Sequence, residues 1–216
     1  LGNLATVTAE TRSGLPQILL RERLGGVWKA ASVVSFSSAG ADQPTLARLD
    51  NGDLLVAWRD LRDGPSHLYY RARIRGEWTL EQRILGPADY SFQPAIATDG
   101  RGQVYLAWLT SVFGQPRVKF MRFAYASPFG TPVALTDSTA YPDAPAVASS
   151  PNGRAIIAWS DRGARPQLVL FARFDPDSGV SKAFSLGIAD GQPQSAVAVA
   201  LEPGGKMHAI WQEIGP

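Results

Sequence analysis

A short motif recurs four times, at nearly constant intervals, in this chain of 216 residues. Each copy has a glycine six residues before a tryptophan, and the tryptophans follow one another at intervals of 50, 51 and 52 residues. They are Trp58, Trp108, Trp159 and Trp211. A period of this length indicates that one supersecondary unit is copied along the chain, which constrains the fold more than any other feature.

Each unit is predicted to contain four short antiparallel strands. Valine, isoleucine, leucine and tyrosine alternate with polar residues, and pairs such as Asn51-Gly52 are typical of hairpin turns. The complete units span residues 41–89, 90–138 and 139–189. Residues 1–40 add the second to fourth strands of another unit, with a polar turn over 10–14, and residues 190–213 add a first and a second strand. The fourth strands of two complete units are predicted as continuous segments over 77–85 and 180–186.

A four-stranded unit of this length is typical of a β-propeller blade. We therefore predict an all-β chain that forms one β-propeller domain over residues 1–216. A mixed closing blade of residues 190–216 with 1–40 would give about four blades and remove exposed sheet edges. The alternative is that the chain is part of a larger ring. The tryptophans are interpreted as packing wedges between blades rather than as ligand platforms.

Composition excludes several classes of function. The absence of cysteine excludes disulfides and thiolate chemistry. No run of 18 apolar residues occurs, so no membrane span is predicted. A net charge of +2 gives no basis for nucleic-acid binding. The two histidines, His67 and His208, stand apart in the sequence, and we predict neither a metal site nor a cofactor.

Most unusual side chains fall on one rim of the predicted ring. The second-to-third-strand turns and the links between blades share this rim, here called the link rim. Two residues after the tryptophan position comes a carboxylate in four of five copies, Glu10, Asp60, Asp161 and Glu213, and an arginine follows in three, Arg12, Arg62 and Arg162. The candidate ligand-binding residues are Asp42, Arg59, Asp60, Arg62, His67, Tyr90, Tyr141, Asp143, Asp161, Arg162 and Arg165.

The repeated acids have two interpretations. A ring of carboxylates and arginines around the channel mouth would suit a polar ligand such as a sugar or a peptide. Alternatively, one acid per blade at a repeated position would hold each turn together, because turns satisfy their own polar groups first. Residues that break the repeat, such as Arg59, His67 and Tyr90, point more directly to recognition.

The third-to-fourth-strand hairpins resemble those of the sialidase-like propellers that carry BNR or Asp-box motifs. The family's turn reads Ser-x-Asp-x-Gly-x-Thr-Trp. Here Gly76 and Trp78 remain, as do Gly26 and Trp28, but without the aspartate. The resemblance implies a propeller fold and a secreted or periplasmic protein. It also implies an arginine triad, a Tyr/Glu nucleophile pair, an Asp acid/base and an Arg-Ile-Pro motif, and no Arg-Ile-Pro occurs in the sequence.

We therefore predict no catalytic residues and a recognition module that binds a carbohydrate or a protein on the link rim. One alternative is a sialidase-related glycoside hydrolase with its acids among Asp42, Asp60, Asp143 and Asp161. A second alternative is a propeller scaffold without a small ligand. If the ring is incomplete, a homo-oligomer or a further segment would be expected to complete it.

Overall fold

The computed structural model describes residues 3–84, 90–125, 130–164, 166–186 and 192–213, and the regular structure in these ranges is β-strand. The strands form five sheets, named A to E in chain order. Sheet A contains β1 (Leu4–Arg12), β2 (Leu15–Leu24), β3 (Val27–Trp28) and β4 (Ser32–Val33). Sheet B contains β5 (Ala41–Arg48), β6 (Leu54–Asp60), β7 (His67–Ile74), β8 (Glu77–Trp78) and β9 (Gln82–Arg83).

The remaining sheets repeat this plan. Sheet C contains β10 (Tyr90–Thr98), β11 (Gln103–Val112), β12 (Gln115–Ala124) and β13 (Val133–Ala134). Sheet D contains β14 (Pro142–Ser149), β15 (Ala155–Asp161), β16 (Leu168–Asp175), β17 (Gly179–Val180) and β18 (Phe184–Ser185). Sheet E contains β19 (Gln194–Leu201) and β20 (Met207–Glu213). Consecutive strands pair in chain order, as the repeat predicts.

The outermost strand differs from its prediction, because in sheets A, B and D it is split into two pairs of residues. In sheet B, β8 and β9 both pair with β7, and residues 79–81 between them leave the ladder. The continuous strands predicted over 77–85 and 180–186 are therefore wrong. The turn predicted over 10–14 is also shorter, since β1 continues to Arg12 and only Ser13 and Gly14 turn, both with positive φ.

The chain divides into two compact units, Leu1–Arg48 with Gly52–Pro94 and Leu49–Asn51 with Ala95–Pro216. In the first unit Trp58 of sheet B lies in a core with Ile18 and Leu20 of sheet A. Arg73 of sheet B also donates to Glu22 of sheet A at 2.5 and 2.6 Å. The tryptophan therefore packs between adjacent sheets.

The second unit is held together in the same way. Phe171 of sheet D forms a core with Val197 of sheet E, and Trp211 packs against the edge of this core. Phe174 of sheet D contacts Phe120 of sheet C, with ring centroids 5.5 Å apart. Trp108 and Trp159 are 1% and 0% exposed. Burial of these aromatic side chains removes apolar area from water and so stabilises the sheets that contain them.

The first strand of each repeat begins with a bulge. The register of β5, β14 and β19 shifts between residues 42 and 45, 143 and 146, and 195 and 198. One residue in each bulge, and its counterpart in β10, has φ of 48–50°; these residues are Gln43, Gln93, Ala144 and Ala196. A non-glycine residue in this region is strained, and bulges re-aim the neighbouring side chains. The bulge therefore sets the direction of Asp42 and Asp143 on the link rim.

Among the described residues, no helix is long and apolar enough to cross a membrane. No group of three or more histidine, cysteine, aspartate or glutamate side chains in these ranges could hold a metal ion.

Candidate functional site

The most densely bonded group on the link rim is the carboxylate of Asp60, at the end of β6. Its residue is 0% exposed. Oδ2 accepts hydrogen bonds from Trp58 Nε1 at 3.0 Å and Arg62 Nη2 at 2.6 Å. Oδ1 accepts from Ser37 Oγ at 2.7 Å and from Arg62 N and Nε at 3.0 Å each. Burial raises the pKa of Asp60, but the donors from Arg62, Trp58 and Ser37 outweigh it and hold the pKa below its usual value.

Arg62 connects this carboxylate to two further side chains. Its guanidinium pairs with Glu81 and lies over the Tyr69 ring, with Cζ 4.5 Å from the ring centroid. Burial lowers the pKa of Arg62, but the bonds to Asp60 and Glu81 raise it further, so the net shift is upward. Tyr69 donates to Asp63 at 2.5 Å, and burial together with this carboxylate raises the pKa of Tyr69 to about 12. The cluster is thus an internally satisfied polar network.

Asp42 and Arg59 form a second pair beside the bulge of β5. Arg59 Nε donates to Asp42 Oδ1 at 2.6 Å, and Nη2 pairs with Oδ2. The side chains are 34% and 28% exposed, so both reach solvent. The hydrogen bond to Asp42 is the main cause that raises the pKa of Arg59. A bidentate pair of this kind presents its outer edges to a ligand while its charges stay matched.

His67 begins β7 and is largely buried. Its Nδ1 lies 3.2 Å from Arg83 Nη2, and Arg83 also pairs with Asp63 at 3.6 Å. Burial, followed by the Arg83 charge, lowers the pKa of His67, and Asp63 opposes this only in part. The neutral imidazole is therefore favoured, with Nδ1 placed to accept from the guanidinium.

Two tyrosines hold the same repeat position, immediately before the bulged strand segments of sheets C and D. Tyr90 is 57% exposed and Tyr141 is 48% exposed. Ser91, next to Tyr90, is fixed to the β6–β7 turn, because its N–H donates to Ser66 O at 2.8 Å. The Tyr141 N–H donates to Asp161 Oδ1 at 2.9 Å. The backbone of each tyrosine is thus held while the ring faces solvent.

Sheet D carries the remaining candidates. Asp143 pairs with Arg162, whose side chain is 56% exposed. Asp161 is 7% exposed and accepts the N–H groups of Tyr141 and Gly163 through Oδ1, at 2.9 and 2.8 Å. Arg165 lies outside the described residues. The carboxylate of sheet D therefore closes its own turn, as the structural interpretation of the repeated acids expects.

The sequence grouped Arg162 with Arg62, and the structure separates them. Leu61 N donates to Gly40 O and Arg162 N donates to Tyr141 O, so Arg162 is the counterpart of Leu61. Gly163 is the counterpart of Arg62, because each donates its backbone N–H to the preceding aspartate Oδ1. The same offset is present in the sequence, where Arg62 lies four residues after Trp58 and Arg162 lies three residues after Trp159.

The other copies of the repeated acid also bond within their own sheet. Glu10 of sheet A accepts from Thr8 Oγ1 at 2.7 Å and from Arg21, which lowers the pKa of Glu10 to about 2, chiefly through the Arg21 bond. Glu213 accepts from Trp211 Nε1 at 3.2 Å. These contacts stabilise strand ends, so position in the repeat alone does not mark a ligand site.

Three important residues of the sheet B network were missed by sequence reasoning. Asp63, Glu81 and Arg83 pair with Tyr69, Arg62 and His67, respectively. Glu81 lies 19 residues from Arg62, in the segment between β8 and β9, so no local pattern links them. The available signal was the comparison of repeat positions, since the sheet D counterpart of Glu81 is Ala183.

Comparison with solved structures identifies the fold. The chain superimposes on an α-L-arabinofuranosidase of Fusarium graminearum with a TM-score of 0.67 and 15% identity, over 97% of this chain and 71% of that one. It matches an endo-arabinase of Bacteroides thetaiotaomicron with a TM-score of 0.55 and 14% identity, over 93% and 86%. A sialidase of Streptococcus pneumoniae matches with a TM-score of 0.60 and 9% identity, over 92% of this chain and 33% of that one.

The chain has the sialidase-like β-propeller fold. The predicted fold class and the resemblance in fold are thus confirmed, at low sequence identity. Neither a protein-family model nor a curated protein matches the sequence. The propeller is related in fold to glycoside hydrolases and polysaccharide lyases. The candidate residues on its link rim stay predictions.

Proposed function

We propose that this propeller is a recognition module that binds a carbohydrate on its link rim without cleaving it. The observation that carries the proposal is that the candidate acids are paired or buried. Asp42 and Asp143 are paired with Arg59 and Arg162, and Asp60 is enclosed by its donors. A glycosidase needs an acid with a raised pKa opposite a second open carboxylate. The lowered pKa of Asp60 is opposite to that requirement.

Recognition is supported by the exposed groups at the same positions. Tyr90 and Tyr141 present rings beside bulged strand segments, and the pairs formed by Arg59 and Arg162 present planar polar edges. Aromatic rings and arginines are the side chains that most often carry recognition. The fold relatives named above include enzymes whose names refer to arabinose polymers, so arabinan fragments are the first ligands to test.

The test is a glycan array with the wild-type chain and the variants Tyr90→Ala and Tyr141→Ala. We expect binding of at least one glycan class, and a roughly tenfold loss in the variants. Trp28→Ala is the matched control. Trp28 is also an exposed aromatic residue, 51% exposed, but it lies in β3, beside the third-to-fourth-strand turn, which is predicted on the opposite rim. An array without wild-type binding, or equal loss in the control, would contradict the proposal.

The alternative function is that of a hydrolase, and hydrolytic activity can be measured in the same samples. Release of reducing sugar from arabinan by the wild type, abolished in Asp42→Asn or Asp143→Asn, would replace the recognition proposal with the hydrolase. Under the proposal, no reducing sugar accumulates.

A further inference from the structure

A cavity of about 370 Å³ lies in the second unit, between the chain segment that follows β13 and the strands of sheet D. Its apolar wall includes Leu135, Ala140, Ala164 and Leu170. Its polar groups belong to Thr136, Asp137, Thr139, Trp159 and Asp161. Neither lysine nor arginine occurs among the described lining residues. The cavity is therefore acidic. It adjoins the backbone of Tyr141, whose N–H donates to Asp161 Oδ1 at 2.9 Å, but neither exposed tyrosine is among its described lining residues.

The buried end of the cavity has an unused hydrogen-bond donor. Trp159 is 0% exposed, and its Nε1–H has no hydrogen-bond partner among the described residues. Asp161 is 7% exposed, and both of its backbone donors bond to Oδ1 rather than Oδ2. A buried indole N–H without an acceptor is costly, and such a group calls for an explanation.

In sheet B an arginine completes the corresponding arrangement of a buried tryptophan and a nearby aspartate, here called the frame. There Trp58 Nε1 donates to Asp60 Oδ2 at 3.0 Å, and the Arg62 guanidinium bonds to both oxygens of that carboxylate. The guanidinium thus fixes the carboxylate in the orientation that accepts the indole. Sheet D keeps Trp159 and Asp161 at the corresponding positions of its second strand.

The groups that fill the frame in sheet B are missing from sheet D. Register places Leu170 at the position of Tyr69, because they pair with Trp159 and Trp58, respectively. Ala183 occupies the position of Glu81. Each lies immediately before the outer-strand residue that pairs with the third strand, at Phe171 in sheet D and at Tyr70 in sheet B. Gly163 replaces Arg62. These three replaced positions all line the cavity.

The chain cannot supply the guanidinium from position 163. A Cβ at Gly163 would lie 3.0 Å from Thr139 O, 3.1 Å from Asp161 Oδ1 and 3.2 Å from Tyr141 N. Two of these atoms belong to the backbone, so the crowding is not relieved by rotating a side chain. Residue 163 itself therefore cannot carry the guanidinium that would complete the frame.

We propose that this cavity binds the side chain of an arginine presented by a partner protein or peptide. The guanidinium lies on Asp161 as that of Arg62 lies on Asp60, and Trp159 Nε1 then donates to Asp161 Oδ2. The apolar wall contacts the methylene stem, which arginine buries readily. Asp137 adds a second negative charge at the exposed edge, where its Oδ1 accepts from Thr139 N and Oγ1 at 2.8 and 2.6 Å. Arginine rather than lysine fits, because a planar fork matches a carboxylate in two bonds.

The test is a titration of the whole chain with N-acetyl-L-arginine amide, followed by calorimetry and by the indole N–H signals in ¹H–¹⁵N spectra. We expect saturable binding and a shift of one buried indole signal, that of Trp159, assigned with Trp159→Phe. N-acetyl-L-lysine amide and N-acetyl-L-citrulline amide are the matched probes. Both are expected to bind roughly tenfold more weakly or not at all, because one lacks the fork and the other lacks the charge.

Two variants separate the site from non-specific attraction. Asp161→Asn keeps Oδ1 for the two backbone donors but removes the charge, and it should abolish arginine binding. Ala183→Glu restores the carboxylate that Glu81 supplies in sheet B, and it should tighten binding roughly fivefold. Ala183→Gln is the neutral control and should leave the affinity near that of the wild type. Ala183 is exposed, so neither change disturbs packing.

Three outcomes would overturn the proposal. The first is absence of arginine binding to a folded wild-type chain. The second is equal binding of the lysine and citrulline probes. The third is a shift of the Trp159 indole signal on addition of a monosaccharide but not of arginine, which would assign the cavity to a sugar. Because the glycan-array variants change the rings of Tyr90 and Tyr141, which are not among the described lining residues of the cavity, failure here leaves the proposed function unaffected.

Discussion

Asp60 and Asp161 occupy the same repeat position, but their charges are balanced differently. Asp60 is buried under Arg62, whereas Asp161 keeps its turn closed through two backbone donors. The difference arises from single replacements within a shared backbone frame. At the residue scale, identity at three positions therefore decides whether the frame is a closed structural network or an open cavity.

Removing the side chain of Arg62 should lower the free energy of unfolding far more than removing that of Arg162. Arg62→Met leaves the carboxylate of Asp60, 0% exposed, without its counter-charge, and we expect a loss of about 3 kcal/mol in the free energy of unfolding. Arg162→Met removes a partner that is 56% exposed, with an expected loss below about 1 kcal/mol. Urea denaturation near neutral pH measures both. Equal losses would contradict the burial assigned to Asp60.

His67 should make stability depend on pH in a window where few other groups titrate. Its folded-state pKa lies below the unfolded value of about 6.5, so the unfolded chain binds more protons between these values. Stability is therefore full above about pH 6.5 and falls as the pH decreases toward the folded pKa. Denaturation between roughly pH 5 and pH 7 should show this slope in the wild type and a smaller slope in His67→Gln. His208→Gln is the control, since His208 is 51% exposed and pairs with Glu202.

At the element scale, the repeat period and the alternation of apolar residues sufficed to locate most strands. They did so because each sheet has the same buried positions, which the sequence repeats. The split of the outermost strand could not be predicted this way, because it depends on hydrogen bonds that no periodic pattern marks. In sheets B and D a side-chain hydroxyl makes one of them. Thr79 Oγ1 accepts the N–H of Ala72 at 3.1 Å, and Ser181 Oγ accepts that of Arg173 at 3.0 Å. Each hydroxyl replaces a strand-to-strand bond.

This substitution gives a direct test in sheet B. Thr79→Val keeps the shape of the side chain but leaves the Ala72 N–H without its acceptor, and we expect a loss of about 1 kcal/mol. Thr79→Ser keeps the hydroxyl and should lose much less. Thermal unfolding of the two variants compares them. If valine and serine are equivalent, the hydroxyl does not hold the split strand.

The candidate site was less predictable than the strands. Sequence spacing located the carboxylates and the exposed tyrosines, but it did not show which arginine pairs with which acid. Those pairings join residues that are 17 or more positions apart in the sequence, as for Arg59 with Asp42 and Arg62 with Glu81. The cavity of sheet D was invisible for a related reason. It is formed because Gly163, Leu170 and Ala183 lack the polar groups of their sheet B counterparts. This becomes apparent only when the two sheets are compared in register.

At the scale of the whole molecule, one structural module is used repeatedly. The module buries a tryptophan at the end of its second strand, and Trp58, Trp108 and Trp159 are at most 1% exposed. Positions that every copy shares serve the packing of sheets. Positions that differ between copies can form binding sites. The carbohydrate proposal therefore uses tyrosines and ion pairs, and the arginine proposal uses a cavity, none of which is common to all sheets.

The most direct test of this account is urea denaturation of the series Trp58→Leu, Trp108→Leu and Trp159→Leu, with Trp28→Leu as control. Each buried indole should cost about 3 kcal/mol when replaced, because a cavity remains where the buried ring was. Trp28 is 51% exposed, and its replacement should change stability by about 0.5 kcal/mol or less. Three similar large losses with a small loss in the control are the predicted result. A near-neutral effect at any of the three buried positions would contradict the shared module.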